Sequence, residues 1–255
     1  MDHYFLGLAL YHKGTTAEFV DKARSHFNRA VDLDPANVDA LVNRAWMDLL
    51  SAANYLSNDR AERHRAAESD LGKALRLRPD NASAHCALGV LRMYSNRAAQ
   101  DIEECERALA IDRNLAAAHA WIGLAKLFVG RNEETEGHVL EALRISPRDH
   151  RAFGWMQFVG AAKLAAGHDE EAVAWLDRSI GVNPNVPTTL FWLAAALARL
   201  GRREEARERA RAGLELNPSF TIARLRSSAF SDNPIYLAGR ERVYDGLRKA
   251  GLPEE

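Results

Sequence analysis

The six-residue stretch ALRISP at positions 142–147 is one of six related segments that together decide the fold. Each segment looks like a helix end, because apolar residues run into a proline or arginine that has Asn, Asp or Ser close by. The other five are AVDLDP (30–35), ALRLRP (74–79), ALAIDR (108–113), SIGVNP (179–184) and GLELNP (213–218). Their last residues are 44, 34, 34, 37 and 34 positions apart, and a period near 34 indicates an array of helix–turn–helix repeats.

Small side chains recur at two further positions of this repeat. With the last residue of each segment counted as position 32, position 27 holds Ala30, Ala74, Ala108, Ala142, Ser179 and Gly213. Position 8 holds Gly7, Ala45, Gly89, Gly123, Gln157 and Ala194. This pattern resembles the tetratricopeptide-repeat signature, although Asp101 departs from the small residue expected at position 20. The resemblance implies an all-α fold, a right-handed α-solenoid of about six repeats followed by C-terminal capping helices.

We expect one array over residues 1–255, without a boundary between domains. The predicted repeats cover residues 1–36, 37–80, 81–114, 115–148, 149–185 and 186–219, and the capping helices cover 220–255. In the long second repeat, we predict a first helix that reaches Leu56, a turn at Ser57-Asn58-Asp59, and Asp59 as the N-cap of the next helix.

The C-terminal segment after Pro218 predicts two more helices. The first is a half-repeat from Phe220 to Ala229, and the second is an amphipathic helix from Ile235 to Ala250. The charged side of the second helix is typical of the polar cap that ends a repeat array. The N-terminus begins directly with a first helix, which leaves an apolar face open. We therefore expect either an upstream segment or a surface that docks on another molecule.

Composition argues against several classes of function. The chain has 34 basic and 35 acidic residues, so it lacks the basic footprint of a nucleic-acid-binding protein, and it has no apolar run long enough to span a membrane. Cys86 and Cys105 are too few for a disulfide framework and are expected to be buried. We find no motif for catalytic, cofactor-binding or metal-binding residues, and we expect no cofactor and a cytoplasmic location.

Aromatic residues cluster at the positions that would face the concave groove of such a solenoid. The candidate partner-binding residues are Trp46, Trp121, Arg151, Trp155, Phe158, Phe191 and Trp192. Aromatic side chains bury a large area at low entropic cost and often anchor interfaces. They serve equally well as core residues between successive helices, and the sequence leaves both interpretations open. The Lys and Asn residues that form the carboxylate clamp of chaperone-binding relatives are absent, so the predicted ligand is an apolar peptide or helix.

Three stretches carry a closer resemblance, and they lie at residues 97–126, 130–149 and 231–254. They resemble the C-terminal repeat region of proteobacterial adenylate/guanylate cyclases and of similar regulators with a winged-helix output domain. The resemblance implies the sensory or protein-interaction part of a bacterial signalling protein. It transfers no catalytic residue, because the cyclase domain is not in this sequence.

The leading hypothesis is a non-catalytic protein-interaction or sensory module that binds a protein segment in its groove, without nucleic acid or membrane as partner. A second hypothesis is self-association, as a homodimer through the open N-terminal repeat. A third is a small-molecule-binding or enzymatic α-solenoid, which would require a cluster of polar groups that the sequence does not reveal.

Overall fold

The computed structural model describes residues 2–57 and 59–255, so Met1 and the Asn58 of the predicted turn lie outside the described residues. Within these ranges there are 14 α-helices and no strand. Twelve helices form six consecutive antiparallel pairs: α1 (His3–Tyr11) with α2 (Ala17–Leu33), α3 (Val38–Ala53) with α4 (Arg60–Leu77), α5 (Ala82–Met93) with α6 (Ala98–Ile111), α7 (Ala116–Phe128) with α8 (Glu134–Ile145), α9 (Ala152–Ala166) with α10 (Asp169–Val182), and α11 (Pro187–Arg199) with α12 (Arg203–Leu216). Two more follow, α13 (Ile222–Arg226) and α14 (Pro234–Lys249).

The small residues of the repeat lie where the two helices of a pair touch. A Cβ atom added at Gly160 of α9 would come within 2.5 Å of the Leu176 side chain on α10, so only glycine allows this approach. Ser179 also packs against α9, and its hydroxyl donates a 2.7 Å hydrogen bond to the carbonyl of Phe153. The all-helical solenoid that the sequence predicts is confirmed.

Local signals fix most helix ends. Gly130, Gly167 and Gly201 follow first helices of their pairs with φ of 79°, 92° and 78°, the left-handed conformation that glycine adopts without strain. The Asp59 carboxylate accepts a 2.8 Å hydrogen bond from the amide of Glu62, so the predicted N-cap of α4 is confirmed. The helix before it is shorter than predicted. It ends at Ala53 instead of Leu56, because Tyr55 takes a φ of 60° that no helix can continue.

The C-terminal segment differs from the prediction in length and in position. The half-repeat helix spans only Ile222–Arg226, because the chain leaves the helical conformation after Ser227, whereas α14 matches the predicted helix to within one residue at each end. Helix α14 does not cap the outer end of the last repeat. It packs on α11 and α9, the first helices of the last two pairs.

The two ends of the array touch each other. The amide of Thr15, in the loop after α1, donates a 3.0 Å hydrogen bond to the carbonyl of Asn185, just before α11. The amide of the Asn185 side chain returns a 3.1 Å bond to the carbonyl of Lys13. The solenoid therefore closes on itself and surrounds an interior space. In residues 2–57 and 59–255, no helix is both long enough and apolar enough to cross a membrane.

Candidate binding groove and interior cavity

Helix α14 lies across the first helices of the repeats, where the concave groove was predicted. Two glycines seven residues apart permit this contact. A Cβ atom at Gly239 would come within 2.8 Å of the Ala165 Cβ on α9, and one at Gly246 within 2.7 Å of the Ala195 carbonyl on α11. The backbone of α14 thus approaches the groove as closely as the repeat helices approach each other.

Polar and aromatic contacts hold the two ends of this crossing. Asn233 caps α14 with its side-chain oxygen and donates from its side-chain nitrogen to the carbonyl of Val129, at the end of α7. Arg242 donates to the carbonyl of Ala165 over 2.8 Å. Just before α14, the Phe230 ring stacks on Phe128 with centroids 5.5 Å apart. These contacts attach the segment to α7 and α9.

Three of the predicted aromatic residues, Trp46, Trp121 and Phe158, form a row of ring contacts, and most of the predicted set are buried. The ring of Trp46 stacks on that of Trp121 at 5.4 Å, and Trp121 in turn meets Phe158 at 4.9 Å. Trp46, Trp121 and Trp155 are 5%, 8% and 2% exposed, whereas Phe158 and Trp192 are half-buried. These ring contacts connect α3, α7 and α9, and Trp121, Trp155, Phe158 and Trp192 also line the interior.

Phe191 lies elsewhere than predicted. Its ring is fully buried between α11 and α12, where it would meet a Cβ atom on Gly213 and stacks on Phe220 at 4.0 Å. It belongs to the core of the last pair, because its side chain turns from the groove toward α12.

Arg151, the one charged residue predicted for the groove, lies at the N-terminal end of α9. It makes a two-pronged ion pair with Asp149 at 3.0 Å, and its guanidinium lies 5.8 Å from the centre of the Trp155 ring. Beside it, the rings of His12 and His150 stack at 3.7 Å. Burial, reinforced by Arg151 and His12, lowers the pKa of His150 to about 4, so this ring is neutral at pH 7.

The solenoid and α14 together line a cavity of about 180 Å³ that is partly open to solvent. Its wall is mainly apolar and combines residues of the first helices with residues of α14. The lining includes Trp121, Trp155, Phe158, Trp192, Tyr94 and Tyr244. A concave, largely apolar space with a few polar groups is typical of a binding site for a small molecule or a side chain.

Polar groups form two sets on the wall of this cavity. In one set, Gln157 donates to the hydroxyl of Thr188 over 2.9 Å, and that hydroxyl donates to the side-chain oxygen of Asn54 over 3.0 Å. In the other set, Arg240 of α14 donates to the hydroxyls of Tyr236 and Tyr244. The arrangement can bind and orient a ligand. Among residues 2–57 and 59–255, there is no group of three His, Cys, Asp or Glu side chains that could hold a metal ion.

Sequence reasoning missed the contribution of α14 to this site. Two signals were available: Gly239 and Gly246 are seven apart, and Tyr236, Arg240 and Tyr244 are four apart, so each set shares one face of a helix. Asn54 and Thr188 gave no signal, because their contact depends on the closure of the array. His85 of α5 is buried and is hydrogen-bonded to Glu104 and to the carbonyl of Pro79.

Comparisons with known proteins agree with this fold. A tetratricopeptide-repeat family model matches residues 57–116. Superkiller complex protein 3 of Mus musculus is 28% identical over 214 residues, which cover 80% of this chain and 12% of that protein. The chain spans less than a fifth of the length of the curated relatives it matches.

Two solved structures illustrate the similarity in fold. TTC0263, a thermophilic TPR protein of Thermus thermophilus, superposes with a TM-score of 0.59 at 18% identity, over 76% of this chain and 97% of that one. The human IFIT1 dimer with m7Gppp-AAAA superposes with a TM-score of 0.63 at 16% identity, over 77% of this chain and 46% of that one. The chain therefore has the fold of a tetratricopeptide-repeat α-solenoid, and residues 57–116 match the family model of that repeat.

Proposed function

We propose that this tetratricopeptide-repeat solenoid is a protein-interaction module whose concave face recognises an apolar helix of a partner protein. The observation that carries the proposal is the contact of α14 with α9 and α11, in which Gly239 and Gly246 let a helix lie directly on the inner wall. A groove that accepts one helix in this way offers backbone carbonyls, small residues and aromatic side chains to another. The partner helix would replace α14.

Half-buried Trp192 and Phe158 are the anchors that we propose for this partner, because they line the interior without being locked in the core. Trp121, Trp155 and Arg151 also line the interior but are more deeply buried or paired, and Trp46 packs on Trp121. Phe191 is left out of the proposed binding residues, since it packs on α12.

The test uses a labelled peptide of residues 232–252 as the helix, and fluorescence anisotropy as the readout. Gly246→Val introduces atoms against the Ala195 carbonyl and should release α14, so this variant is expected to bind the peptide at least tenfold more tightly than the unaltered chain. Gly137→Ala is the matched control, because a Cβ atom there meets nothing within 4 Å.

Adding Trp192→Ala to the opened variant should weaken peptide binding by about 1–3 kcal/mol, the usual cost of truncating an interface anchor. The proposal fails if the Gly246→Val protein remains folded by circular dichroism and binds the peptide no better than the control.

Nucleic acid is not a partner in this proposal. The IFIT1 neighbour was solved with a capped RNA, but this chain has balanced charge, and its cavity wall is mainly apolar. Gel-shift assays with capped and triphosphate RNA at low salt should show no complex.

Self-association is a second candidate, and the exposure of α1 supports it. Phe5 is 64% exposed, and the four neighbouring apolar side chains Tyr4, Leu6, Leu8 and Leu10 of the same helix are only half-buried. If the protein forms a homodimer through this face, Phe5→Glu should lower the molar mass measured by light scattering to that of the monomer. A mass that stays monomeric across concentrations in the unaltered protein would remove the candidate.

The parent that we propose is a bacterial, cytoplasmic signalling protein such as a nucleotide cyclase, in which this module is the regulatory part. The resemblance of residues 97–126, 130–149 and 231–254 to cyclase repeat regions supports it. An immunoblot of native cells tests it, since a polypeptide of 28.4 kDa would exclude a covalently linked cyclase domain.

A further inference from the structure

The part of the cavity wall that α14 contributes contains hydrogen-bond donors that have no acceptor among the described residues. Arg240 is 9% exposed. Its Nε donates to the Tyr244 hydroxyl over 2.6 Å, its Nη1 to the Tyr236 hydroxyl over 2.9 Å, and its Nη2 to the Leu225 carbonyl. A guanidinium group has five N–H bonds. One N–H on each terminal nitrogen therefore remains without a partner in the described part of the chain.

The tyrosines around Arg240 add further donors. The Tyr236 hydroxyl accepts from Arg240 and, at 3.4 Å, from the amide of Phe230, and the Tyr244 hydroxyl accepts from Arg240. Neither hydroxyl donates its own proton to any residue in 2–57 or 59–255. Tyr55 and Tyr94 line the same cavity, and their hydroxyls form no hydrogen bond with the described residues. Burial raises the pKa of Tyr94, so it remains a donor at physiological pH.

The charge on this part of the wall is positive and uncompensated. Arg240 forms no ion pair with a carboxylate in the described ranges. A second cation lies nearby: the guanidinium of Arg60 is 4.9 Å from the centre of the Phe230 ring, and its buried Nε has no hydrogen-bond partner among residues 2–57 and 59–255. The carboxyl that acts on Tyr94 is that of Asp101, and burial raises its pKa to about 8, so it is largely neutral at pH 7. Burying such a cation is costly unless an anion accompanies it.

Size and wall chemistry narrow the class of anion. The volume of about 180 Å³ is slightly larger than an apolar cavity of about 150 Å³ that holds benzene. The rings of Trp121, Phe158 and Trp192 line it. A nucleotide exceeds this volume, whereas a single-ring acid fits. Two parallel N–H groups of one arginine match the two oxygens of a carboxylate.

We propose that the interior cavity is a binding site for a small aromatic monocarboxylate. The carboxylate lies on the two unused N–H groups of Arg240 and accepts from the hydroxyls of Tyr55 and Tyr94, while the ring lies against Trp121, Phe158 and Trp192. The site goes beyond the proposed partner interaction and does not depend on it.

Such a ligand would join α14 to the rest of the solenoid. Tyr236, Arg240 and Tyr244 belong to α14, whereas Tyr55 follows α3 and Tyr94 follows α5. A carboxylate shared between these groups bridges the C-terminal helix and the second and third repeats, so the bound state holds α14 more firmly in place. The ligand should therefore raise the melting temperature of the whole chain.

The experiment is isothermal titration calorimetry and thermal melting of the full chain with benzoate, phenylacetate and 3-phenylpropionate. Benzyl alcohol and benzylamine have similar size without the negative charge. We expect at least one acid to bind with a stoichiometry of one and to raise the melting temperature. The alcohol should bind at least tenfold more weakly, and the amine should give no measurable binding.

Three variants locate the site. Arg240→Gln should abolish binding, and Arg248→Gln, on the exposed side of the same helix, should leave it unchanged. Tyr94→Phe should weaken binding about tenfold while leaving the melting temperature of the free protein unchanged, because its hydroxyl has no hydrogen bond to lose. If Arg240→Gln does not fold, the affinities of Tyr94→Phe and Tyr55→Phe for the best acid test the site instead.

The proposal is overturned if none of the three acids gives a saturable signal at millimolar concentration, or if benzyl alcohol binds as tightly as the acids. It is also overturned if the tyrosine variants bind the best acid as tightly as the unaltered protein.

Discussion

The third and fourth repeats place different polar side chains at the same position. One of these buried side chains is hydrogen-bonded to the facing helix, and the other is not. Asp101 of α6 faces Gly89 of α5, and Thr135 of α8 faces Gly123 of α7. Both side chains are 0% exposed. The Thr135 hydroxyl donates a 2.8 Å hydrogen bond to the Gly123 carbonyl. One Asp101 oxygen has no partner within the described chain, and the contact of the other is the Cys105 sulfur at 3.5 Å.

The difference follows from what the facing helix offers. The close approach at a glycine exposes a backbone carbonyl, which accepts a hydrogen bond but does not donate one. A hydroxyl group can donate a hydrogen bond to that carbonyl. An ionised carboxylate has no proton to donate, is repelled by the carbonyl oxygen, and also loses its hydration on burial. Burial accordingly raises the pKa of Asp101 to about 8.

The largest expected effect on the unfolding free energy comes from Asp101→Thr, which gives the third repeat the residue that the fourth repeat has at this position. The folded-state pKa of Asp101 lies above its unfolded value, so the stability present below about pH 4 is lost as the pH rises through about 8. Between pH 5.5 and 8 this amounts to about 3 kcal/mol. Asp101→Thr should remove that loss, as measured by urea unfolding at both pH values.

The control is the same pair of measurements on Thr135→Val, whose pH dependence should match that of the unaltered protein. If the unfolding free energies of the unaltered chain and Asp101→Thr stay parallel from pH 5.5 to 8, the pKa of Asp101 is not raised in the folded state.

A smaller effect is expected from alanine at the two facing glycines. At Gly89 the new Cβ would lie 2.6 Å from an Asp101 oxygen, whereas at Gly123 the nearest atom is the Thr135 carbonyl oxygen at 3.0 Å. Gly89→Ala should cost about 2–3 kcal/mol of unfolding free energy and Gly123→Ala about 1–2 kcal/mol. Equal costs would show that the acidic side chain does not crowd its site.

Gly181→Ala in α10 serves as the reference for this pair, because a Cβ atom there meets nothing within 4 Å. It should stabilise the protein by about 0.5–1 kcal/mol through helix propensity alone.

The smallest effect concerns the hydroxyl of the fourth repeat. Thr135→Val keeps the shape of the side chain and removes one hydrogen bond to the Gly123 carbonyl, so it should cost about 1 kcal/mol in denaturant unfolding. If Thr135→Val leaves the unfolding free energy unchanged, the Thr135 hydrogen bond does not stabilise the fourth repeat. The two repeats would then differ only in the destabilisation caused by burying Asp101.

The repeat fold could be predicted from the sequence because its determinants are local. Small residues such as Gly160, left-handed glycines such as Gly167 and the Asp59 cap act on neighbours within one repeat, and the sequence displays them at a fixed period. Even the anomaly at Asp101 is visible there. Its pKa is not, because it depends on which atoms of α5 lie opposite.

The candidate site could be predicted only in part. The aromatic row was visible as a pattern, but periodicity alone did not separate half-buried Trp192 from its neighbour Phe191, which turns toward α12. The charged face of α14 resembled an end cap, and its glycines gain meaning only when Ala165 and Ala195 are known to lie opposite. The orientation of these side chains and the position of α14 depend on contacts between segments that are far apart in the sequence.

The closure of the array changes how the molecule should unfold. In an open repeat protein each unit interacts only with its neighbours, so the ends fray independently and unfolding proceeds in stages. Here the bonds between Asn185 and Lys13 and between Asn54 and Thr188 join residues 172 and 134 positions apart. Fraying at either terminus removes contacts from the other. The solenoid should therefore melt as one cooperative unit, with slower folding than its helical content suggests, because closing the array requires contacts between residues that are 134 and 172 positions apart.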